Sequence, residues 1–337
     1  MNATMSLDKI KHYPVMLDQI LSIISPQHGG TFVDCTFGGG GYSKAILKYP
    51  NTKVIAIDRD QFTKRYANEL LEKYPNRFNF FESKFSKLDD LIELNLNPKA
   101  IIFDLGLSSF QLSDNQRGFS FKSSGALSMQ MGSNNYSAYD VVNTLDKKNL
   151  SNIIKILGDE KDGKIIAKKI IEHRTKKPIK TSEELSSIIN AAKRNFNRNN
   201  KNPATKTFQA IRIFVNQELT ELFLGLIAAT KILKLGGILI IVSFHSLEDR
   251  IVKYFFNFYS NLNKNPSRYL PFKKNKPNLF NLTSKKPLTP SRKEISLNIN
   301  SRSAKLRYGI RNNNSFFYPN KLQKSFESYF KIEEMRI

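Results

Sequence analysis

Two short stretches limit the fold of this chain more than any other feature. Residues 34–43 read D-C-T-F-G-G-G-G-Y-S, and a second apolar run, V-I-A-I-D, ends in Asp58. A buried strand, a four-glycine turn, a helix and a second strand closing in an acid form the first unit of a nucleotide-binding α/β sheet. Glycine suits the turn because a side chain there would hold the backbone away from a ligand. The free N–H groups at the start of the next helix point at that ligand. Asp58, at the carboxyl end of its strand, can accept from both hydroxyls of a ribose.

The spacing narrows the nucleoside. A dinucleotide fingerprint requires G-x-G-x-x-G, but after Gly38 and Gly40 the third glycine position holds Ser43. An adenosyl ligand without a pyrophosphate, such as S-adenosylmethionine, fits better. Asp34 is then placed to face the amino group of its methionine part.

The chain of 337 residues can bury a large core and is expected to hold one large domain with an insertion, or two domains. It contains no apolar run near the length of a membrane span, and its first residues lack the order of a secretory signal, so a soluble, cytoplasmic protein is expected. The single cysteine, Cys35, excludes an intrachain disulfide and argues against a cysteine-based metal site. Beside the glycine turn it reads as a small buried thiol.

Formal net charge is +24, unevenly spread: residues 251–337 carry 18 Lys/Arg against 4 Asp/Glu, and residues 161–206 are also basic, with Arg194 and Arg198 among them. Such a surface predicts a polyanionic partner, and nucleic acid in particular. Mutational bias is the competing explanation, since the chain is rich in Lys, Asn, Ile and Phe and lacks Trp. The unevenness favours the partner.

Patterning predicts a short amphipathic segment at 12–24, strands at 31–34, 53–58, 77–81, 100–106 and 238–244, and helices at 42–49 and about 61–74 between them. The fourth strand, A-I-I-F-D-L-G, is continuously apolar, as expected of a strand covered on both faces. Helical stretches follow at 147–157, 163–174 and 181–194. Asn202-Pro203 predicts a helix start, and the helix that follows is read as continuing to Gly236-Gly237. A long loop is expected over 257–300 and a strand pair around 301–311. The fold class is therefore α/β, a Rossmann-like doubly wound sheet with an inserted helical domain. Expected boundaries are 1–107 and 205–311 for the core, 108–204 for the insertion and 312–337 for a tail of unassigned role.

Ligands of an open parallel sheet bind outside the carboxyl ends of its strands. Four polar clusters fall there: Asp34 to Tyr42, Asp58 to Asp60, Asp104 to Gln111 and Ser243 to Arg250. A carboxylate ending an apolar strand, as Asp104 does, is costly unless paired or ligand-bound. His245 is open to two readings, a loop-bracing cap or a site residue. Glu248, Asp249 and Arg250 could be a helix-start charge cluster. Arg117 could bind phosphate, and Phe119 and Phe121 could stack on bases or belong to a core.

Taken in order, the clusters closely resemble one family, the bacterial small-subunit rRNA cytosine N4-methyltransferases of the RsmH or MraW type. The matching stretches are H-Y-P-V-M-L at 12–17, D-C-T-F-G-G-G-G-Y-S at 34–43, A-I-D-R-D at 56–60, F-D-L-G-L-S-S-F-Q-L-S-D at 103–114 and R-G-F-S-F at 117–121. They continue with P-A-T-K-T-F-Q-A-I-R-I-F-V-N-Q-E-L at 203–219, S-F-H-S-L-E-D-R-I-V-K at 243–253 and S-R-S-A-K-L-R at 301–307. The resemblance implies a class I S-adenosylmethionine-dependent methyltransferase acting on the exocyclic N4 of a cytidine in the decoding region of 16S rRNA. It implies cofactor contacts at Gly40, Gly41, Tyr42, Asp58, Phe85, Asp104 and Gln111. The chain departs from the family in having Tyr42 for His, Phe110 for Pro, and L-S-M-Q-M-G at 127–132 for L-D-M-R-M-D.

The cytosine N4 is a poor nucleophile, whereas the methyl donor is already activated, so in-line positioning is the main task expected of the protein. The Asp104–Ser109 loop and Ser243–His245 are expected to surround the target base, with Ser109 and His245 as the catalytic candidates. No metal and no membrane are expected, small-subunit rRNA is the expected partner, and a homodimer is allowed without being required. Two rival readings are a non-catalytic RNA-binding or ribosome-assembly factor that keeps the cofactor fold, and a DNA amino-methyltransferase. The second lacks its usual proline-bearing motif after strand four. A third, an NAD-dependent oxidoreductase, is weakened by the missing glycine.

Overall fold

The apolar runs of the sequence become neighbouring strands of one sheet. The computed structural model describes residues 14–92, 96–193, 202–260 and 278–335. His12, Tyr13, Arg194 and Arg198 and part of the expected loop, 261–277, lie outside the described residues. In chain order come α1 (Leu17–Ile24), β1 (Gly30–Asp34), α2 (Gly41–Leu47), β2 (Thr52–Asp58), α3 (Lys64–Lys73), β3 (Phe78–Glu82), α4 (Leu88–Leu91) and β4 (Ala100–Asp104). Next are α5 (Ser109–Ser113), α6 (Ala138–Thr144), α7 (Lys147–Leu157), α8 (Gly163–Arg174), α9 (Ser182–Ala192), α10 (Thr205–Asn216) and α11 (Glu218–Ile232). The chain then runs through β5 (Ile238–Ser243), α12 (Ser246–Tyr259), β6 (Phe280–Asn281), α13 (Arg292–Leu297), β7 (Lys305–Arg311), α14 (Asn320–Ser325) and α15 (Glu327–Glu333).

These elements form two compact units. The first takes the described residues of Met1–Gly106 and Ala228–Phe316, the second those of Leu107–Ile227 and Phe317–Ile337. The expected boundaries place 205–227 in the core and 312–337 in a tail. Here α10 and most of α11 belong to the second unit, and α14 and α15 belong there too.

The first unit is a doubly wound sheet of order β3-β2-β1-β4-β5-β7-β6. The first five strands pair in parallel, while β7 runs antiparallel to both β5 and β6. Chain order reverses between β1 and β4, which makes the carboxyl ends of those strands the topological switch point. Residues Ala100 to Phe103 are wholly buried, as a strand covered on both faces requires. The amphipathic first segment supplies α1, whose Ile20 and Ile24 join Phe32, Phe37, Ile46 and Phe78 in the core.

Three expectations are corrected here. The strand pair at 301–311 is one strand, β7, and its partner β6 comes from the expected loop. Two residues are too few to show any periodicity. That loop also contains α13, and α12 extends into it as far as Tyr259. The single helix read after Asn202-Pro203 is two, broken at Gln217, which is left-handed (φ 52°). Asn202 does act at its start, its Oδ1 accepting from Ala204 N at 2.9 Å, but the helix opens at Thr205.

In the second unit several helices start on side-chain caps. Ser137 and Asp140 form a capping box on α6, Asp146 caps α7, and Thr181 and Glu184 form a box on α9. Their apolar faces bury Val141, Leu150, Ile154, Ile166, Ile170 and Leu185. The buried Phe119 is core, and the half-buried Phe121 packs edge-on against Phe208 at 4.8 Å. No single helix among the described residues is long and apolar enough to cross a membrane; α10 and α11 reach that length only together and are bent by 55°.

Candidate active site

Parallel register brings three acids to one edge of the first unit. Asp34 pairs in register with Ala56 on one side and Ile102 on the other, and Asp58 and Asp104 end the flanking strands. Asp34 is wholly buried and accepts from the Ser43 hydroxyl at 2.7 Å. Burial pushes its carboxyl up to about 6, with the Ser43 bond pulling the other way. The third-glycine position of the dinucleotide fingerprint thus holds a hydroxyl that braces a buried carboxylate.

Asp58 keeps part of its surface exposed. Its Oδ2 accepts from Gly38 N at 2.7 Å and its Oδ1 from Asp60 N at 2.9 Å. A carboxylate has about four acceptor positions, so both oxygens keep a free lone pair. Desolvation pushes this group up to about 7, opposed by the two N–H bonds. Asp104 is raised as well, first by burial and then by the negative charge of Asp34. Its Oδ1 is buried and has no hydrogen-bond partner among the described residues. Such an oxygen is costly to bury unless a ligand group meets it.

The glycine turn is built for close approach. Gly40 sits at φ +75°, and a Cβ there would lie 2.9 Å from the Phe37 ring. A Cβ on Gly41 would lie 2.4 Å from Pro14, so this position has no room for a side chain. Gly39 faces open space, with nothing within 4 Å of its would-be Cβ. Tyr42 is buried and donates its hydroxyl hydrogen to Val15 O. Phe85 stands half-buried and edge-on to Phe103 at 5.3 Å, beside the residue that ends β4.

The remaining expected residues have structural tasks. Gln111 Oε1 accepts from Ser108 N at 2.9 Å in the capping box of α5, a helix that Ser109 opens. Both belong to the second unit. His245 caps α12: its Nδ1 accepts from Glu248 N at 3.4 Å, while Glu248 Oε2 accepts from Phe244 N at 2.9 Å. The His245 Nε2 is buried, lies 3.1 Å from Glu248 Oε1 and lacks a hydrogen-bond partner among the described residues. Arg117 is buried with its Nη2 donating to Gln130 O at 2.7 Å, and it does not present a free guanidinium to phosphate.

Two contributors escaped the sequence reading. Thr36 Oγ1 accepts from Asp104 N at 2.6 Å and ties β4 to the turn. Glu294, the one acid between Arg250 and Phe326 in the sequence, accepts from Met16 N at 2.6 Å at the start of α1. Its isolation in a basic stretch was the available signal.

The stretch 127–132 is held within the second unit by the Arg117 bond to Gln130 O and by amide groups. Asn216 Oδ1 accepts from Met131 N at 2.8 Å, and its Nδ2 donates to Met129 O at 2.8 Å. Gln130 Nε2 donates to Asn134 O and Tyr136 O.

The chain matches the MraW methylase family over residues 9–311. It is similar to the ribosomal RNA small subunit methyltransferase H of Ehrlichia canis, 46% identical over 299 residues, covering 88% of this chain and 98% of that one. It is similar also to the ribosomal RNA small subunit methyltransferase H of Hyphomonas neptunium, 42% identical over 305 residues, with 90% and 89% covered.

Proposed function

The chain belongs to the MraW methylase family, and we propose that it methylates the exocyclic N4 of a cytidine in small-subunit (16S) rRNA, using S-adenosylmethionine. The observation that carries this reading is the edge formed by Asp34, Asp58 and Asp104, with one buried carboxylate oxygen left without a partner. That donor set fits the cofactor. Asp58 suits the ribose hydroxyls, Phe85 the face of adenine, and the turn at Gly40 and Gly41 the close passage of the methionine part. The raised carboxyls of Asp34 and Asp104 suit a ligand that brings positive charge, since such a charge offsets their burial. When bound, S-adenosylmethionine supplies an electrophilic methyl group on a sulfonium.

The protein's own task is to hold the N4 nitrogen in line and to accept its hydrogens as its lone pair leaves the ring. Ser109 and His245, each on its own unit, are the catalytic candidates; because His245 Nδ1 accepts from Glu248 N, its Nε2, 3.1 Å from Glu248 Oε1, serves as a donor. Gln111 is assigned to the cofactor only through its place in the family motif. The second unit is the candidate for substrate recognition, and its neutral 127–132 stretch is compatible with turnover because Asn216 holds it. The target base has to leave its stack to react. The rival readings as an assembly factor or a DNA enzyme gain nothing from relatives that carry the small-subunit rRNA methyltransferase name. We place the reaction in the cytoplasm, with neither a metal nor a second copy of the chain required.

The deciding experiment is methyl transfer from labelled S-adenosylmethionine to small subunits that lack this modification, with the product mapped by mass. One methyl on a cytidine N4 is expected. No transfer by a protein that still binds the cofactor would return the chain to the non-catalytic reading. His245→Ala with full rate and unchanged cofactor affinity would remove His245 from the reaction.

A further inference from the structure

We propose that the groove between α12 and the segment Leu282–Leu288 is a docking surface for phosphodiester groups of the RNA substrate. This deepens the reading above and rests on it. The groove encloses a cavity of about 50 Å³, with Phe256, Leu282 and Leu306 among the apolar residues that line it and Lys253, Lys285 and Lys286 among the cationic ones. All three lysines are exposed, and none has an ion-pair partner among the described residues.

Several other basic side chains are already paired. Lys169 bonds Glu172, Lys193 bonds Glu160, and Lys305 and Arg307 share Asp249. Asp249, which bonds the groove residue Arg307, is already shared between two cations. Glu294, the lone acid between Arg250 and Phe326, is held by Met16 N. An unopposed cluster of ammonium groups attracts a polyanion and releases its condensed counterions on binding.

The backbone that carries the lysines is fixed to the sheet. Leu288 and Leu306 exchange both N–H···O bonds at 2.9 Å. Arg307 Nη1 donates to Lys285 O at 2.8 Å, and its Nε is anchored on Asp249 Oδ1 at 2.7 Å. Lys286 N donates to Ser284 Oγ at 3.0 Å, and Thr283 bonds the Tyr308 hydroxyl at 2.7 Å. The segment is ordered before any ligand arrives, so binding there costs little backbone entropy. Lysine offers point charges on flexible stems, which suit phosphates whose position varies along a strand. The apolar floor suits the ribose and base edges between them.

The test compares three full-length proteins: wild type, the triple variant Lys253→Gln/Lys285→Gln/Lys286→Gln, and a control in which Lys48, Lys53 and Lys64, exposed on the same unit, become Gln. Affinity for a 16S rRNA fragment is measured against salt concentration, with S-adenosylmethionine affinity and methyl transfer measured alongside. The groove variant is expected to bind RNA at least tenfold more weakly at low salt, with a log–log salt slope shallower by about 2 and cofactor affinity unchanged. Equal slopes in the groove variant and wild type, or an equal drop in the control variant, would overturn the proposal. A shallower RNA slope without methyl transfer in any protein would retain the groove and remove the methylation reading; transfer with unchanged slopes would do the reverse.

Discussion

Acids at helix starts in the second unit and acids at strand ends in the first are put to opposite uses. In the second, acids serve the fold: Asp140, Asp146 and Glu184 sit at helix starts and accept backbone N–H bonds, favoured there by the helix dipole. In the first, Asp34, Asp58 and Asp104 end buried strands, are pushed upward by desolvation, and leave one oxygen with no described partner. An acid that lowers the energy of a helix reports on architecture. An acid that raises the energy of its own surroundings reports on a ligand.

Glu333 is the informative intermediate case. It is buried and pushed up to about 8 by desolvation, yet its carboxylate accepts from Leu219 N, Thr220 N and the Thr220 hydroxyl at the start of α11. Phe326, between α14 and α15, and Phe330 of α15 pack on Phe223. Residues beyond the family match are therefore part of the second unit's core.

The sharpest way to break the comparison is to end the chain after Phe316. This removes Glu333 with two core phenylalanines, and a loss of about 5 kcal/mol or more is expected. Denaturant unfolding and limited proteolysis would read it, and a wild-type midpoint would mean that the tail is dispensable. Glu333→Ala leaves three donors without an acceptor and is expected to destabilise by about 1–3 kcal/mol, with cofactor affinity unchanged.

The pH dependence has a definite sign. The folded value of Glu333 is raised, so its contribution is complete below the ordinary 4.5 and declines as pH climbs through about 8. Melting temperature followed from pH 5 to 9 should fall for wild type and fall less for Glu333→Gln.

Asp58→Asn tests the other unit. Cofactor affinity should drop about tenfold, a charged hydrogen bond being worth roughly that factor, while the melting temperature stays level or rises. A stability loss without an affinity loss would make Asp58 architectural and erase the contrast. The smallest effect is a proton count. Asp34 and Asp58 are raised from 3.8 to about 6 and about 7, so their stabilising contribution is complete below 3.8 and is lost as pH rises through those values. Binding of a ligand that favours their charged forms should therefore release protons near pH 6.5, visible by calorimetry in buffers of different ionisation enthalpy.

Legibility followed the range of the forces involved. The alternation of apolar runs and glycine turns placed β1 to β5 within a residue or two, because a strand buried on both faces must be apolar throughout. The capping residues of α7 and α9 lie within a few positions of their targets, so those helices too could be read locally. The acids at the strand ends were visible for the same reason. The break at Gln217 was not, since nothing nearby demands a left-handed residue there. It coincides with bonds from Glu333, which lies more than a hundred positions away.

What the amino-acid order alone determined is therefore the sheet, the glycine turn and the acids that edge it, all set by neighbours in the chain. Tertiary structure decided which carboxylates are satisfied, that Arg117 is spent on Gln130 O, that Asn216 holds the altered 127–132 stretch, and that the last helices close the second unit. Each of these depends on a hydrogen bond between distant segments, whose free energy is realised only once water is excluded from both partners.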